Sequence, residues 1–112
     1  MEFSPDGGLV ATGGYDGMAR VWDPATWHPV RVLSGHTDWV RSVAFSPNGG
    51  LLATVNSDRS VRLWEPSTGR AVTMMRADSV LTGCVWAADG GALFVSGEAG
   101  LFAYALEEGS TR

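Results

Sequence analysis

Apolar residues along this chain fall in short runs, each closed by glycine, proline, aspartate or asparagine. The runs cover residues 9–12, 18–22, 30–33, 40–45, 51–55, 61–64, 71–75, 80–86, 92–95 and 101–106. Each has strand length and β-favouring side chains, and none carries a 3.6-residue apolar period through three turns. The pattern predicts ten short antiparallel strands and essentially no helix. Leu51-Leu52-Ala53-Thr54-Val55 is apolar on both faces, as suits a strand held between two sheets. Val61-Arg62-Leu63-Trp64 alternates more, as a strand nearer a rim would. The punctuation has its own mechanism. Proline presets φ, and the Asp-Gly or Asn-Gly that follows tolerates the left-handed backbone of a tight turn.

The pattern also repeats. Phe3-Ser4-Pro5-Asp6-Gly7 returns as Phe45-Ser46-Pro47-Asn48-Gly49, and again, degraded, as Trp86-Ala87-Ala88-Asp89-Gly90. The starts lie 42 and then 41 residues apart. Each is followed by an apolar run, an acidic turn and a second run ending in an aromatic: Trp22, Trp64 and Tyr104. Such a period marks stacked sheet units, each needing a neighbour to cover its apolar face. With 112 residues the chain holds fewer than three units, whereas rings of such units usually need about four to eight. The expectation is a piece of a larger ring, completed by a longer chain or by other copies.

Composition narrows the function. All eight basic side chains are arginine, and the net charge is −4. That balance lacks the basic face a nucleic-acid or membrane-surface partner requires. Without lysine there is no phosphate-cradling glycine loop of the usual kind. Cys84 is the single cysteine, so no intrachain disulfide forms, and it reads as a small buried hydrophobe. No leader and no apolar span is evident, and the cytoplasm is the expected setting. His36, Asp38 and Asp58 have neither paired zinc spacing nor a calcium loop, so no metal and no cofactor is expected.

The middle unit reads Ser34-Gly35-His36-Thr37-Asp38-Trp39-Val40, then Val43-Ala44-Phe45-Ser46-Pro47-Asn48-Gly49, Leu52-Ala53-Thr54, Asp58 and Val61-Arg62-Leu63-Trp64-Glu65. The first unit ends in Trp22-Asp23. This resembles the Gly-His to Trp-Asp repeat of the WD-repeat β-propeller family, over residues 1 to about 108. The resemblance implies an all-β fold of four-stranded antiparallel blades in an incomplete propeller. It divides the chain into a partial first blade at 1–34, with strands b, c and d and a stub of a. A complete second blade follows at 35–77, then a partial third at 78–108 with strands a, b and c, and a tail at 109–112.

The same resemblance assigns a structural tetrad to His36, Thr54, Asp58 and Trp64: indole to hydroxyl, hydroxyl to imidazole, imidazole to turn carboxylate. Thr12, Asp16 and Trp22 are the matching residues of the first blade. Ala77, Phe94, Glu98 and Tyr104 take the four positions in the third. A hydroxyl committed to a buried indole is not a nucleophile, so no catalytic residue is expected. The family docks proteins or peptides on the face bearing the turns between strands d and a and between b and c. Carried over, that face holds Tyr15, Trp39, Arg41, Ser57, Val80 and Thr82, with Gly97 in the third blade. Tyr, Trp and Arg dominate binding energy at interfaces. The other reading of these residues stays open: Trp39 packs over the rim and Arg41 is only solvated. Trp27, in the turn before strand d, reads as a local packing residue. The functional expectation is a non-catalytic interaction scaffold. The alternative is a sensor segment of a larger bacterial signalling protein, a nucleotide-hydrolysing regulator or a protein kinase, whose catalytic domain lies elsewhere.

Overall fold

A computed structural model describes residues 1–34, 38–77, 80–98 and 100–105, with side chains through 101. Eleven strands and no helix make up the described residues. The first sheet runs in the order β1 (Glu2–Phe3), β2 (Val10–Gly13), β3 (Ala19–Asp23), β4 (His28–Leu33). The second runs β5 (Val40–Phe45), β6 (Leu52–Asn56), β7 (Ser60–Glu65), β8 (Arg70–Arg76), and the third β9 (Leu81–Trp86), β10 (Ala92–Gly97), β11 (Gly100–Ala105). All are antiparallel meanders between sequence neighbours.

The eleventh strand, beyond the ten apolar runs, is the two-residue β1, which pairs Glu2 with Ala11 and Phe3 with Val10. Its apolar signal is one residue long, too short to register as a run. β4 and β8 start earlier than their apolar runs because the ladders continue into the polar pairs Asp23–His28 and Glu65–Arg70. Backbone pairing is indifferent to side-chain polarity at an exposed strand end.

The sheets stack through two apolar layers. Between the first and second lie Ala11, Ala19, Val21, Leu33, Val40, Val43, Phe45, Leu52 and Trp64. Between the second and third lie Ala44, Ala53, Val55, Val61, Leu63, Leu81, Trp86, Leu93 and Val95. β6 is therefore buried at all five residues, as its two-faced apolar run requires. The middle sheet is covered on both faces and each outer sheet on one. Polar bonds cross the layers too: the Trp86 indole donates to the Ala44 carbonyl at 2.9 Å, and Val40 N–H to the Gly14 carbonyl at 3.0 Å. Gly13 permits that approach, since a Cβ there would lie 2.7 Å from Val40 Cγ1 and 2.8 Å from its carbonyl oxygen.

Register corrects three expected equivalences in the third sheet, those of Phe94, Gly97 and Glu98. Thr54 faces Val43 across β5–β6, and the residue that faces Cys84 across β9–β10 is Val95, not Phe94. Likewise Gly97 pairs with Leu81 as Asn56 pairs with Val40. The position of Ser57, whose N–H donates to Trp39, belongs to Glu98, whose N–H donates to Val80. The third unit is a residue shorter, and the shortening falls in the β10–β11 turn rather than before it. Counting back from Tyr104 therefore shifts β10 by one residue, and one residue exchanges its two faces.

Candidate docking face

In the second sheet the Trp64 indole donates to Thr54 Oγ1 at 2.9 Å, with Trp64 3% and Thr54 0% exposed. In the first sheet Trp22 donates to Thr12 Oγ1 at the same 2.9 Å, but both residues are only half-buried. The geometry is the same and the cover differs, because the first sheet packs over Trp64 while this face of the first sheet is uncovered. His36 lies outside the described residues, so the imidazole part of the expected relay does too. Asp58 lies in the β6–β7 turn, accepts from Ser60 through both N–H and Oγ, and takes part in further interactions, as does Thr54. Asp16 takes a different partner: its carboxylate accepts from Arg20 at 2.8 Å and from Met18 N–H at 3.1 Å. The Arg20 hydrogen bond, then the Met18 amide, hold Asp16 below the ordinary carboxylate value.

Sequence reasoning passed over Asn56 and Ser60, both fully buried. Asn56 donates to the Asp38 carbonyl at 2.7 Å and accepts from Asp58 N–H at 2.7 Å, tying the β6–β7 turn to the segment entering β5. An asparagine beside a turn reads as ordinary turn chemistry; only the structure gives it a second, distant partner.

Those ties fix the edge on which the expected docking residues meet. The Tyr15 and Trp39 rings stack with centroids 4.4 Å apart and planes 25° apart. The Arg41 guanidinium lies 4.3 Å from the Trp39 ring centroid, and its Nη1 reaches Ser57 Oγ at 3.4 Å. Four residues from the first and second sheets thus form one cluster. Tyr15 is 79% exposed, Arg41 exposed, Trp39 and Ser57 half-buried. Arg41 sits where the β5–β6 ladder steps from Val40–Asn56 to Ser42–Val55, leaving it as the extra residue of a β-bulge. Bulges re-aim side chains, and this one aims a cation at the sheet edge. Thr82 occupies the same step in the third sheet, is exposed, and reaches the Ser96 carbonyl at 3.3 Å. Val80 is half-buried beside it. Nothing described joins Val80 and Thr82 to the aromatic cluster.

The opposite edge is built differently. Ser4 Oγ donates to Asp6 Oδ1 at 2.7 Å and accepts from Leu9 N–H at 3.0 Å, while Gly8 N–H donates to Asp6 Oδ1 at 2.9 Å. Ser46, Asn48, Gly50 and Leu51 repeat all three bonds. In the third unit Ala87 replaces the serine, leaving the bond from Gly91 N–H to Asp89. These turns use their polar atoms on themselves, which leaves few for a ligand. Burial pushes the Cys84 thiol up to about 11, with the Ser42 hydroxyl 3.7 Å away opposing the shift. Trp27 is 53% exposed at φ 58°, where the second sheet has Gly69 at φ 79°.

The WD domain, G-beta repeat family matches residues 1–23 and 27–65. The probable serine/threonine-protein kinase PkwA of Thermomonospora curvata is 48% identical over 42 residues, 38% of this chain and 6% of the kinase. An uncharacterized WD repeat-containing protein of Nostoc is 45% identical over 42 residues, 38% of this chain and 3% of the relative. The protein transport protein SEC13 of Phaeosphaeria nodorum is 46% identical over 37 residues, 30% of this chain and 12% of SEC13. The chain thus spans a small fraction of each relative. Among the described residues no helix is long and apolar enough to cross a membrane. Three stacked antiparallel sheets, the Trp-to-Thr bond in two of them and the matched repeats together show that this chain belongs to the WD-repeat family, as blades of a partial β-propeller.

Proposed function

We propose that the chain is a non-catalytic interaction scaffold that docks a protein or peptide on the edge carrying Tyr15, Trp39, Arg41 and Ser57, flanked by Val80 and Thr82. The observation that carries this reading is the aromatic–guanidinium cluster itself. Its largest aromatic is half-exposed and its cation stacks on that ring. Tryptophan, tyrosine and arginine grouped in this way are the usual anchors of an interface. Family membership supports it, since WD repeats generally mediate protein–protein contacts. The absence of catalysis rests on chemistry: the buried Thr54 hydroxyl serves the Trp64 indole. In this reading the blades divide at 1–34, 35–77 and 78–108, the working setting is the cytoplasm, and further blades come from a longer chain or other copies. Exposed apolar residues such as Phe3 at 53% and Val85 at 61% are what such blades would cover.

A photo-crosslinker placed at residue 15, and separately at residue 27, tests the docking edge. Discrete adducts that form from residue 15, fail from residue 27 and vanish in Trp39→Ala are expected. Equal capture from both positions contradicts it. The likeness to a probable kinase favours a second reading, in which the segment senses for a catalytic domain elsewhere in a larger signalling protein. Sequencing the coding region on both sides separates the two.

A further inference from the structure

We propose that Arg41 is the receptor for an aspartate or glutamate side chain of an extended partner segment, with Tyr15 as the adjoining apolar platform; this rests on the docking reading above. Six arginines with described side chains differ in what they hold, and Arg59, exposed in the β6–β7 turn, has no ring against it among the described residues. Arg20 pairs with Asp16 at 2.8 Å and Arg70 with Glu65 at 3.1 Å. Arg31 donates to the Val30 and Ser67 carbonyls, and Arg76 to the Asp58 carbonyl. Arg62 is half-buried and engaged. Arg41 is exposed, and its acceptor among the described residues is one hydroxyl at 3.4 Å. A guanidinium carries five N–H donors, so most of this exposed fork has no acceptor among the described residues.

The fork is also held in place. The bulge at Arg41 sets its direction, its guanidinium carbon lies over the Trp39 ring at 4.3 Å, and Tyr15 stacks on that ring. A fixed planar fork loses little freedom on taking a carboxylate through two parallel bonds. The occupant is a carboxylate rather than a phosphate by charge complementarity. The cluster holds one cation, and Asp16 and Asp38 flank its two aromatics as exposed carboxylates. The single guanidinium balances one negative charge, and with Asp16 paired to Arg20 the Asp38 carboxylate weighs against a doubly charged group. The neighbouring Tyr15 ring, 79% exposed, then calls for an apolar or aromatic residue next to the acid.

The probes are three pools of fluorescent, end-blocked decapeptides with identical apolar positions, carrying glutamate, glutamine or phosphoserine at the remaining sites. Polarisation titrations use the 112-residue chain and its R41Q, R41K, R70Q and W39A variants, with circular dichroism checking each fold. The glutamate pool should bind at least about tenfold tighter than the glutamine pool, as a charge-assisted bond to a held carboxylate implies. R41Q should erase that preference, R41K should weaken it because lysine lacks the fork, and R70Q, away from this edge, should keep it. Equal binding of the glutamate and glutamine pools, lost in W39A, overturns the acidic partner and leaves the docking edge standing. Tighter binding of the phosphoserine pool overturns the carboxylate assignment. No binding by any pool removes both this inference and the docking reading beneath it.

Discussion

Replacing Thr54 with valine removes one hydroxyl and almost no volume, so its effect is nearly free of a cavity contribution. The 2.9 Å bond from the Trp64 indole disappears, as does the 3.5 Å contact of the Thr54 hydroxyl with the Arg62 carbonyl, and the indole N–H stays in a site where Trp64 is 3% exposed. A buried donor left unsatisfied costs about 1–3 kcal/mol. The internal control is Thr12→Val. It removes an identical 2.9 Å bond from a half-buried pair that solvent reaches, so the cost should stay under about 0.5–1 kcal/mol. For a chain of this length the buried change lowers the melting temperature by roughly 4–13 °C, against at most about 2–4 °C at Thr12. Urea unfolding followed by far-ultraviolet circular dichroism, with wild type and both variants side by side, reads the difference. Equal destabilisation by the two substitutions would refute the reasoning, because it would mean that cover by a neighbouring sheet does not set the worth of this bond.

Three further outcomes are expected. Gly13→Ala should cost about 1–3 kcal/mol, because its Cβ would sit 2.7 Å from Val40 Cγ1 and push the first sheet from the second; thermal melts check this. Arg59→Gly should stabilise by about 0.5–1 kcal/mol. Relief of a left-handed backbone at φ 72° outweighs the added freedom of the unfolded chain, and Gly17 at φ 82° already fills the matching place in the first sheet. Cys84, with its thiol at about 11, should react with iodoacetamide at pH 7.5 roughly 100-fold slower than in the urea-unfolded chain. Its rate should rise about tenfold per pH unit until the pH nears that value, and a rate already flat at pH 8 would show that the thiol is not desolvated.

The repeat made most of the fold legible. Short runs gave the strands, and Pro-Asp-Gly and Pro-Asn-Gly gave turns whose glycines stand at φ 74° and 76°. The residues of the proposed docking edge were legible as types and positions, but not as a stack. Residues 15 and 39 come from different sheets, and their contact depends on how Val40 N–H bonds to Gly14 across the interface. The bulge at Arg41 was invisible for a related reason. A bulge is a property of two paired strands, and neither strand alone signals it. The third unit misled by a single residue, since strand runs do not mark where a turn has shortened; pairing fixed Val95 rather than Phe94 opposite Cys84. Asn56 was missed because its distant partner is a backbone carbonyl, which has no sequence identity.

A middle sheet covered on both sides should be visible residue by residue in native-state hydrogen exchange. Amides in the β6–β7 ladder, such as Ala53 and Leu63, should exchange at least about tenfold slower than Ala11 and Val21 at the matching places of the β2–β3 ladder. Equal protection across the two sheets would contradict the claim that covering sheets, rather than the strands themselves, make the middle of this chain rigid.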